Sequence, residues 1–463
     1  MRTLVRTNLP FFLLGAVAAI LLRLVFIFRF PGVVNDSFVY GDIAKNWLAH
    51  GIYGLSGPEE VSPTYIRLPG YPAFLAFIFA LFGLEHYRAV LVAQLVVDLG
   101  TCLVCADLAR RLLGPRAAKV AFLLAALCPF LADYSASALT ETLEIFFTAL
   151  ALDCAVAGFE SYKASWWAGC GGACAAAILL RPDGAIVPLV ILLYLAWKIL
   201  VPEPTSPRAP MRPALLRAAL WIIVISVIPL VPWTLRNWRV FHRFQPLAPR
   251  YANEEGEFVP IGFNRWVKTW MADYTSVEEI YWPVPGDPLD SSRLPARAFD
   301  NLRQQAVTRE LIEDYNQVLH ISPELDQRFE ALATERIHSH PLRYYLGLPL
   351  VRILDMWMRP RTEMLPSDSR WWEFNDEARW SALAFTFAAV NLFYVLCALV
   401  GWMRTRQLEW SGLLVLFVVL RSAFLATLEN PEPRYTLEMY PVVIVFAAAA
   451  LVCWQPGPLE PTT

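Results

Sequence analysis

Apolar runs long enough to cross a lipid bilayer recur along the whole chain, and no other feature constrains its fold as much. They lie at Leu9–Phe30 and near residues 89–109, 117–132, 141–159, 165–180, 184–200, 218–235, 381–402, 410–427 and 437–454. Inside lipid every backbone N–H and C=O must find a partner within the protein, so runs of this length span as α-helices. A hydrocarbon core of roughly 30 Å takes about 20 helical residues. Several runs fall short of that, which leaves their ends soft. Composition points the same way: 57% of residues are hydrophobic and 17% charged, against about 25% charged in soluble domains. A disordered chain, a coiled coil and a nucleic-acid partner are excluded on these numbers. The sequence reads as an all-α polytopic membrane protein with about ten transmembrane helices.

Arg2 and Arg6 precede the first run and no small-residue cleavage site follows it, so it reads as an uncleaved anchor. The apolar stretch Tyr71–Phe82, bounded by Pro69-Gly70 and Gly83, is too short to span and suits an interfacial or re-entrant segment. If it does not cross, thirteen basic residues share the cytoplasmic side: Arg2, Arg6, Arg110, Arg111, Arg116, Lys119, Lys163, Lys198, Arg208, Arg212, Arg217, Arg404 and Arg406. The short loops opposite hold Lys45, Arg67, Arg181 and Arg434. If it does cross, the Arg110–Lys119 cluster lands outside and the asymmetry weakens. Ten spans with both termini inside follow, with outer segments at 31–88, 133–140, 181–184, 428–436 and 236–380. The chain thus divides into an N-terminal transmembrane module (1–235), an extracytoplasmic helical domain (236–380) and C-terminal transmembrane helices (381–463).

Within 236–380, Ser322-Pro323 forms a helix start, with Ser as N-cap and Pro at the first helical position. Leu325, Phe329, Leu332 and Ile337 then form an apolar stripe at helical spacing. Leu342–Met358 is apolar but broken by Arg343, Pro349, Arg352 and Asp355, as expected of a membrane-surface helix over 342–358. Arg343 and Arg352, with His340, would form a basic edge facing lipid headgroups. Trp357, Trp371, Trp372 and Trp380 read as interfacial anchors. Pro202–Pro213 reads as a simple connection. All eight cysteines, the Cys102-x-x-Cys105 pair included, lie in apolar runs and read as core residues, with no disulfide framework or zinc site.

Candidate chemistry lies in the outer loops. Asp36 stands where the chain leaves the first span, with Tyr40 one helical turn on. As a structural group it would cap a helix; as a general base it would take a proton from an acceptor hydroxyl, worth about 10²–10⁴-fold in rate. Arg67, in Tyr65-Ile66-Arg67-Leu68-Pro69-Gly70-Tyr71-Pro72, sits at headgroup depth, where a guanidinium either snorkels or binds phosphate oxygens in a fork. Glu141 opens a span at a helix N-terminus, where the dipole favours an anion; an acid at the membrane edge on the same side as Asp36 is equally a site candidate. Arg181-Pro182-Asp183-Gly184 reads as a tight turn. Arg23, inside the first span, either snorkels or lines a polar cavity. Arg434, with Tyr435 entering the last span, can bind an anionic headgroup.

In this order and on one membrane face, Asp36, Tyr40, Arg67, Tyr71, Thr140-Glu141 and Arg434-Tyr435 resemble GT-C glycosyltransferases of the protein O-mannosyltransferase and lipid A aminoarabinose transferase group. The likeness covers the first 235 residues best. It implies a sugar donor on a polyprenyl phosphate, used at the outer face of a bacterial plasma membrane. Asp36 would be the catalytic base of an inverting attack and Arg67 the group neutralising the leaving phosphate. Tyr40, Tyr71 and Glu141 would help bind substrate, and Arg434 would be a second phosphate contact. The acceptor would be a lipid, a glycan or a protein. The resemblance admits a divalent metal, but Ile66 stands where the aminoarabinose group has an acidic residue, so no metal ligand is assigned. Two other classes compete: a transporter or flippase for a lipid-linked sugar, and an O-antigen ligase-type assembly protein. Transporters often carry internal repeats and midplane charges; here no repeat is found and the charges gather at one surface.

Overall fold

The computed structural model describes residues 1–201, 212–254, 256–375 and 377–452. Residues 202–211, most of the Pro-rich connection, lie outside the described residues. The chain divides into two units: Met1–Ala248 with Leu392–Val418 and Leu437–Thr463, and Pro249–Asn391 with Val419–Thr436.

Among the described residues seven helical segments are long and apolar enough to span: Leu9–Arg29, Tyr87–Leu113, Glu141–Ser161, Pro182–Leu200, Arg212–Phe241, Ala378–Thr405 and Pro433–Leu451. An eighth arises if Pro115–Ala126 and Pro129–Ser135, bent by 52°, form one broken span. Ala164–Leu180 and Ser411–Leu425 are shorter apolar helices. Seven of the ten apolar runs thus coincide with helices long enough to span, the 117–132 run with the bent pair, and the 165–180 and 410–427 runs with shorter apolar helices, so seven or eight candidate spans stand against the ten expected. The protein is a polytopic, predominantly α-helical membrane protein.

The first unit starts with a short turn, α1 (Arg2–Thr7), and the first span, α2 (Leu9–Arg29). α3 (Asn35–His50) follows and stops at Gly51, whose φ of 69° is the left-handed conformation that glycine adopts at a helix end. A small hairpin, β1 (Gly54–Ser56) and β2 (Val61–Pro63), departs from the all-helical reading. α3 organises it: Asp42 accepts the Ser56 backbone N–H at 2.6 Å and Asn46 donates to the Gly54 carbonyl at 3.1 Å. α4 (Gly70–Phe82) is the short apolar stretch. Its first residue lies against the end of another helix, where a Cβ on Gly70 would stand 2.6 Å from the Leu179 carbonyl carbon.

α5 (Tyr87–Leu113), α6 (Pro115–Ala126), α7 (Pro129–Ser135), α8 (Glu141–Ser161) and α9 (Ala164–Leu180) pack next. Pro129, at the first position of α7, cannot continue the α6 hydrogen-bond ladder, and the chain bends there. The break interrupts the ladder at the end of α6, and Arg23 donates to the carbonyls there. Its Nη2 donates to the Ala125 carbonyl at 3.0 Å and its Nη1 to the Ala126 carbonyl, while Nε meets Asp98 Oδ2 at 2.5 Å. Arg23 is therefore fully buried and paired. It neither snorkels nor lines a cavity, because the broken helix and Asp98 consume its donors. α10 (Ile186–Leu200), α11 (Arg212–Val227) and α12 (Leu230–Phe241) complete this stretch.

The second unit is built on α13 (Ile261–Lys268), the short α14 (Tyr274–Ser276), α15 (Leu302–Val318), α16 (Pro323–Ser339) and α17 (Leu348–Met358). Ser322 caps α16 as the sequence predicts, accepting from the Leu325 N–H at 3.2 Å. Leu325, Phe329 and Leu332 pack with Phe263, Trp266 and Trp270 in its core. The anticipated basic edge needs correcting. Arg352 is fully buried, donating to the carbonyls of Met271 at 2.9 Å and Lys268 at 2.5 Å. Arg343 pairs with Asp300. What the 342–358 segment exposes is apolar, namely Leu342, Leu346, Leu350 and Leu354, so its polar side turns inward. The later helices are α18 (Ala378–Thr405), α19 (Ser411–Leu425) and α20 (Tyr440–Leu451).

Candidate active site

Two loops meet in the first unit, the one after α2 and the one before α8. Just past α2, the Gly32 N–H donates to the Ala136 carbonyl at 2.8 Å and the Gly32 carbonyl accepts from Ala138 at 2.7 Å. A Cβ at Gly32 would come within 2.4 Å of Ser137 Oγ, so the approach needs glycine. This stitch ties the segment that leads into α3 to the segment that leads into α8.

Asp36 lies in the first turn of α3, where the helix dipole favours a carboxylate. The Ser37 hydroxyl accepts from the Val34 N–H at 3.1 Å and fixes that turn. Arg67 approaches from the irregular segment between β2 and α4, its Nη2 standing 3.0 Å from Asp36 Oδ1. Both remain partly open, with side-chain exposures of 21% for Arg67 and 40% for Asp36. Arg67 Nε is shielded and meets no acceptor among the described residues. The backbone behind Arg67 is held firmly: its carbonyl takes the Tyr53 hydroxyl at 2.9 Å. Arg236 of α12 donates to the carbonyls of Thr64 and Tyr53 at 2.7 Å each, clamping both strand ends.

Tyr40 is buried under this pair, with the Arg67 guanidinium 5.5 Å from its ring centroid. Burial pushes its phenol up to about 12, with Arg67 pulling down and Asp36 and Glu144 pushing up. It stays a neutral ring near pH 7. Tyr71 meets Tyr40 edge to face at 5.1 Å and donates to Gln94 Oε1 at 2.7 Å. Gln94 in turn donates to the Ser137 carbonyl at 2.6 Å, tying α4 and α5 to the second loop.

Glu141 and Glu144 are both buried at the start of α8. Arg181 stands between them, 3.7 Å from Glu141, 3.5 Å from Glu144 and 3.3 Å from Asp183. The segment read as a plain tight turn does fold as one, a 3₁₀ turn over Pro182–Ala185. It also delivers a cation into an acidic cluster, and that role outweighs the turn. Sequence reasoning missed Arg181 as a site residue because its turn signature explained the same four letters. It missed Gln94 and Arg236 because single polar residues inside apolar runs carry no pattern. Among the described residues no three His, Cys, Asp or Glu side chains converge to hold a metal ion. The Arg181 guanidinium already occupies the centre of the carboxylates, so the donor set does not fit a bound cation.

The structure thus links Asp36 to Arg67, Arg67 to Tyr40 and Tyr40 to Tyr71 in the first unit, while Glu141 stands beside Arg181. Arg434 belongs to the second unit, where its Nε meets Glu432 Oε2 at 2.6 Å and its guanidinium lies 5.4 Å from the Tyr435 ring centroid.

Residues 63–233 match the family described as dolichyl-phosphate-mannose-protein mannosyltransferase. That segment includes Arg67, Tyr71, Glu141 and Arg181, and leaves Asp36, Tyr40 and Arg434 outside. No curated protein matches the chain significantly. The archaeal oligosaccharyltransferase AglB from Archaeoglobus fulgidus, solved with an inhibitory peptide and a dolichol-phosphate, superposes with a TM-score of 0.52. Identity is 14%, covering 96% of this chain and 50% of that one. The Archaeoglobus fulgidus oligosaccharyltransferase tethered with an acceptor peptide containing the NVT sequon gives 0.53 at 13% identity, over 96% and 49%. ArnT from Cupriavidus metallidurans bound to undecaprenyl phosphate gives 0.42 at 16% identity, over 94% and 76%. The chain spans about half the length of the oligosaccharyltransferases it matches. The fold is the GT-C fold that the sequence resemblance implies.

Proposed function

We propose that this GT-C-fold chain is a glycosyltransferase that moves a sugar from a polyprenyl-phosphate donor to an acceptor hydroxyl, with inversion at the anomeric carbon. The Asp36–Arg67 pair carries the reading: a carboxylate and a guanidinium, both partly exposed, held 3.0 Å apart in a helical membrane bundle. The matched mannosyltransferase segment and the fold support a lipid-phosphate donor.

In this reaction the acceptor oxygen attacks the anomeric carbon as the bond from that carbon to the phosphate oxygen breaks. The acceptor proton passes to the Asp36 carboxylate. The bond electrons leave with the polyprenyl phosphate, whose added charge the Arg67 guanidinium meets. Tyr40 and Tyr71, neutral and apolar-faced, would line the donor path. Glu141, with Arg181 fixing its position, would shape the acceptor side. The site faces the outside of a bacterial plasma membrane, with membrane lipids around it; the sugar is a hexose or pentose and the acceptor a lipid, glycan or protein.

Two measurements test the proposal. Transfer of radiolabelled sugar from a panel of polyprenyl-phosphate hexoses and pentoses in proteoliposomes is expected with at least one donor. Failure with all of them, beside uptake of the lipid-linked sugar, would favour the transporter class. Cysteine labelling at Leu84 and Arg116 tests the orientation: Leu84→Cys is expected to react from outside and Arg116→Cys from inside. An externally reactive position 116 would contradict the ten-span arrangement.

A further inference from the structure

A cavity of about 590 Å³ opens in the second unit, built wholly from residues between Asp273 and Trp372. It falls in the roughly 300–1,000 Å³ range of small-molecule sites. Its wall carries four arginines, Arg293, Arg297, Arg359 and Arg370, and two adjacent indoles, Trp371 and Trp372. Asp273 and Asp355 are its only carboxylates among the lining residues, so the wall holds four positive groups against two negative ones.

The arginines are held from behind. Glu279, which does not line the cavity, accepts from Arg370 Nε and Nη2 at 2.7 Å each and lies 3.4 Å from Arg293. Arg359 is buried and donates to Thr275 Oγ1 at 2.7 Å and to the Ser369 carbonyl. Arg297 donates to the Trp270 carbonyl at 3.0 Å and pairs with Asp273. Guanidinium groups fixed this way lose little freedom when they bind a further acid group, which is what a planar fork does well. Trp372 is 45% exposed and stands over Arg359 at 5.7 Å. The Trp371 indole N–H has no acceptor among the described residues.

We propose that this cavity is a binding site for an acidic saccharide, a short glycan bearing a carboxylate or a phosphate. Flat indoles suit the C–H face of a pyranose ring. Asp273 and Asp355 accept from sugar hydroxyls, and the same two carboxylates disfavour a polyanion such as a nucleoside triphosphate. The arginine forks bind the single acid group. The site is distinct in its residues from the Asp36–Arg67 pair, and its test measures binding alone, so its failure says nothing about the transferase reading.

The experiment is isothermal titration calorimetry of the full chain in nanodiscs of zwitterionic lipid, comparing cellobiouronic acid, cellobiose and inorganic phosphate. The acidic disaccharide is expected to bind at least about tenfold more tightly than cellobiose, a difference of about 1.4 kcal/mol. Arg293→Gln, at an exposed position, is expected to bring that ratio to about threefold or less, and Trp372→Ala to weaken both sugars by about tenfold. Equal affinity for the acidic and neutral disaccharides would overturn the acidic assignment. Phosphate binding as tightly as cellobiouronic acid, with Trp372→Ala without effect, would overturn the saccharide assignment and mark a headgroup or phosphate site instead.

Discussion

Arg67 Nη2 and Asp36 Oδ1 lie 3.0 Å apart although 31 residues separate them in the chain. One group suits a phosphate and the other a hydroxyl proton, so a single ion pair joins the two ends of the proposed transfer. Everything packed behind it serves to hold it: Ser37 at the helix start, Tyr53 and Arg236 behind Arg67, and Tyr40 beneath both.

Removing the guanidinium should separate donor binding from folding. Arg67→Ala is predicted to weaken donor affinity by about 10–100-fold, the worth of charged hydrogen bonds of about 1.5–3 kcal/mol. Arg67→Lys should restore part of it, since charge returns without the fork. Titration of the polyprenyl-phosphate donor reads this directly, and unchanged affinity in Arg67→Ala would remove the phosphate role.

Arg181 should be a stability residue as much as a site residue. Arg181→Met removes the guanidinium that stands among Asp183 and the buried Glu141 and Glu144. A cost of about 3–5 kcal/mol is expected for breaking a buried pair in this way. Thermal unfolding in detergent measures it. Adding Glu144→Gln to Arg181→Met should recover a large part of the loss, which a cavity effect alone would not allow.

Arg23 and Asp98 make a parallel case with the opposite remedy. Arg23→Met alone or Asp98→Leu alone should each destabilise by about 3–5 kcal/mol, because the partner charge stays buried. The double substitution should lie closer to wild type in unfolding measurements. It should not recover fully, because the carbonyls of Ala125 and Ala126 lose their donor.

Acid-saccharide binding in the second unit should depend on pH through Asp355. Burial, opposed by Arg359 and reinforced by Asp273, raises its carboxyl to about 6. As pH falls through that value Asp355 gains a proton and the wall loses a negative charge, so affinity for cellobiouronate should rise between pH 7.5 and pH 5. Asp355→Asn should flatten the profile at the high-affinity level. Calorimetry across that range, with cellobiose as the uncharged control, checks the sign.

Most spans were legible in the sequence because run length is a strong and local signal, and seven of the ten apolar runs coincide with helices long enough to span. The first loop was partly legible as well: an acid, a Tyr one turn on and a downstream Arg could be read as a set. The reading stopped at residues whose role depends on which helices meet. Gln94 and Arg236 are single polar letters in apolar stretches, and only the packing of α4, α5 and α12 shows what they hold. Arg181 was hidden by a turn signature that is itself correct. Arg352 misled because basic residues beside a surface helix usually face headgroups, whereas here the exposed face is apolar and the guanidinium turns inward to backbone carbonyls.

The central claim is that Asp36 takes the acceptor proton, and single-turnover transfer of radiolabelled sugar in proteoliposomes tests it most directly. Asp36→Asn keeps the shape of the side chain and removes the base. The variant is expected to transfer sugar about 10²–10⁴-fold more slowly than wild type, with donor affinity within a few-fold of it. Transfer by Asp36→Asn at a near-wild-type rate would contradict the claim.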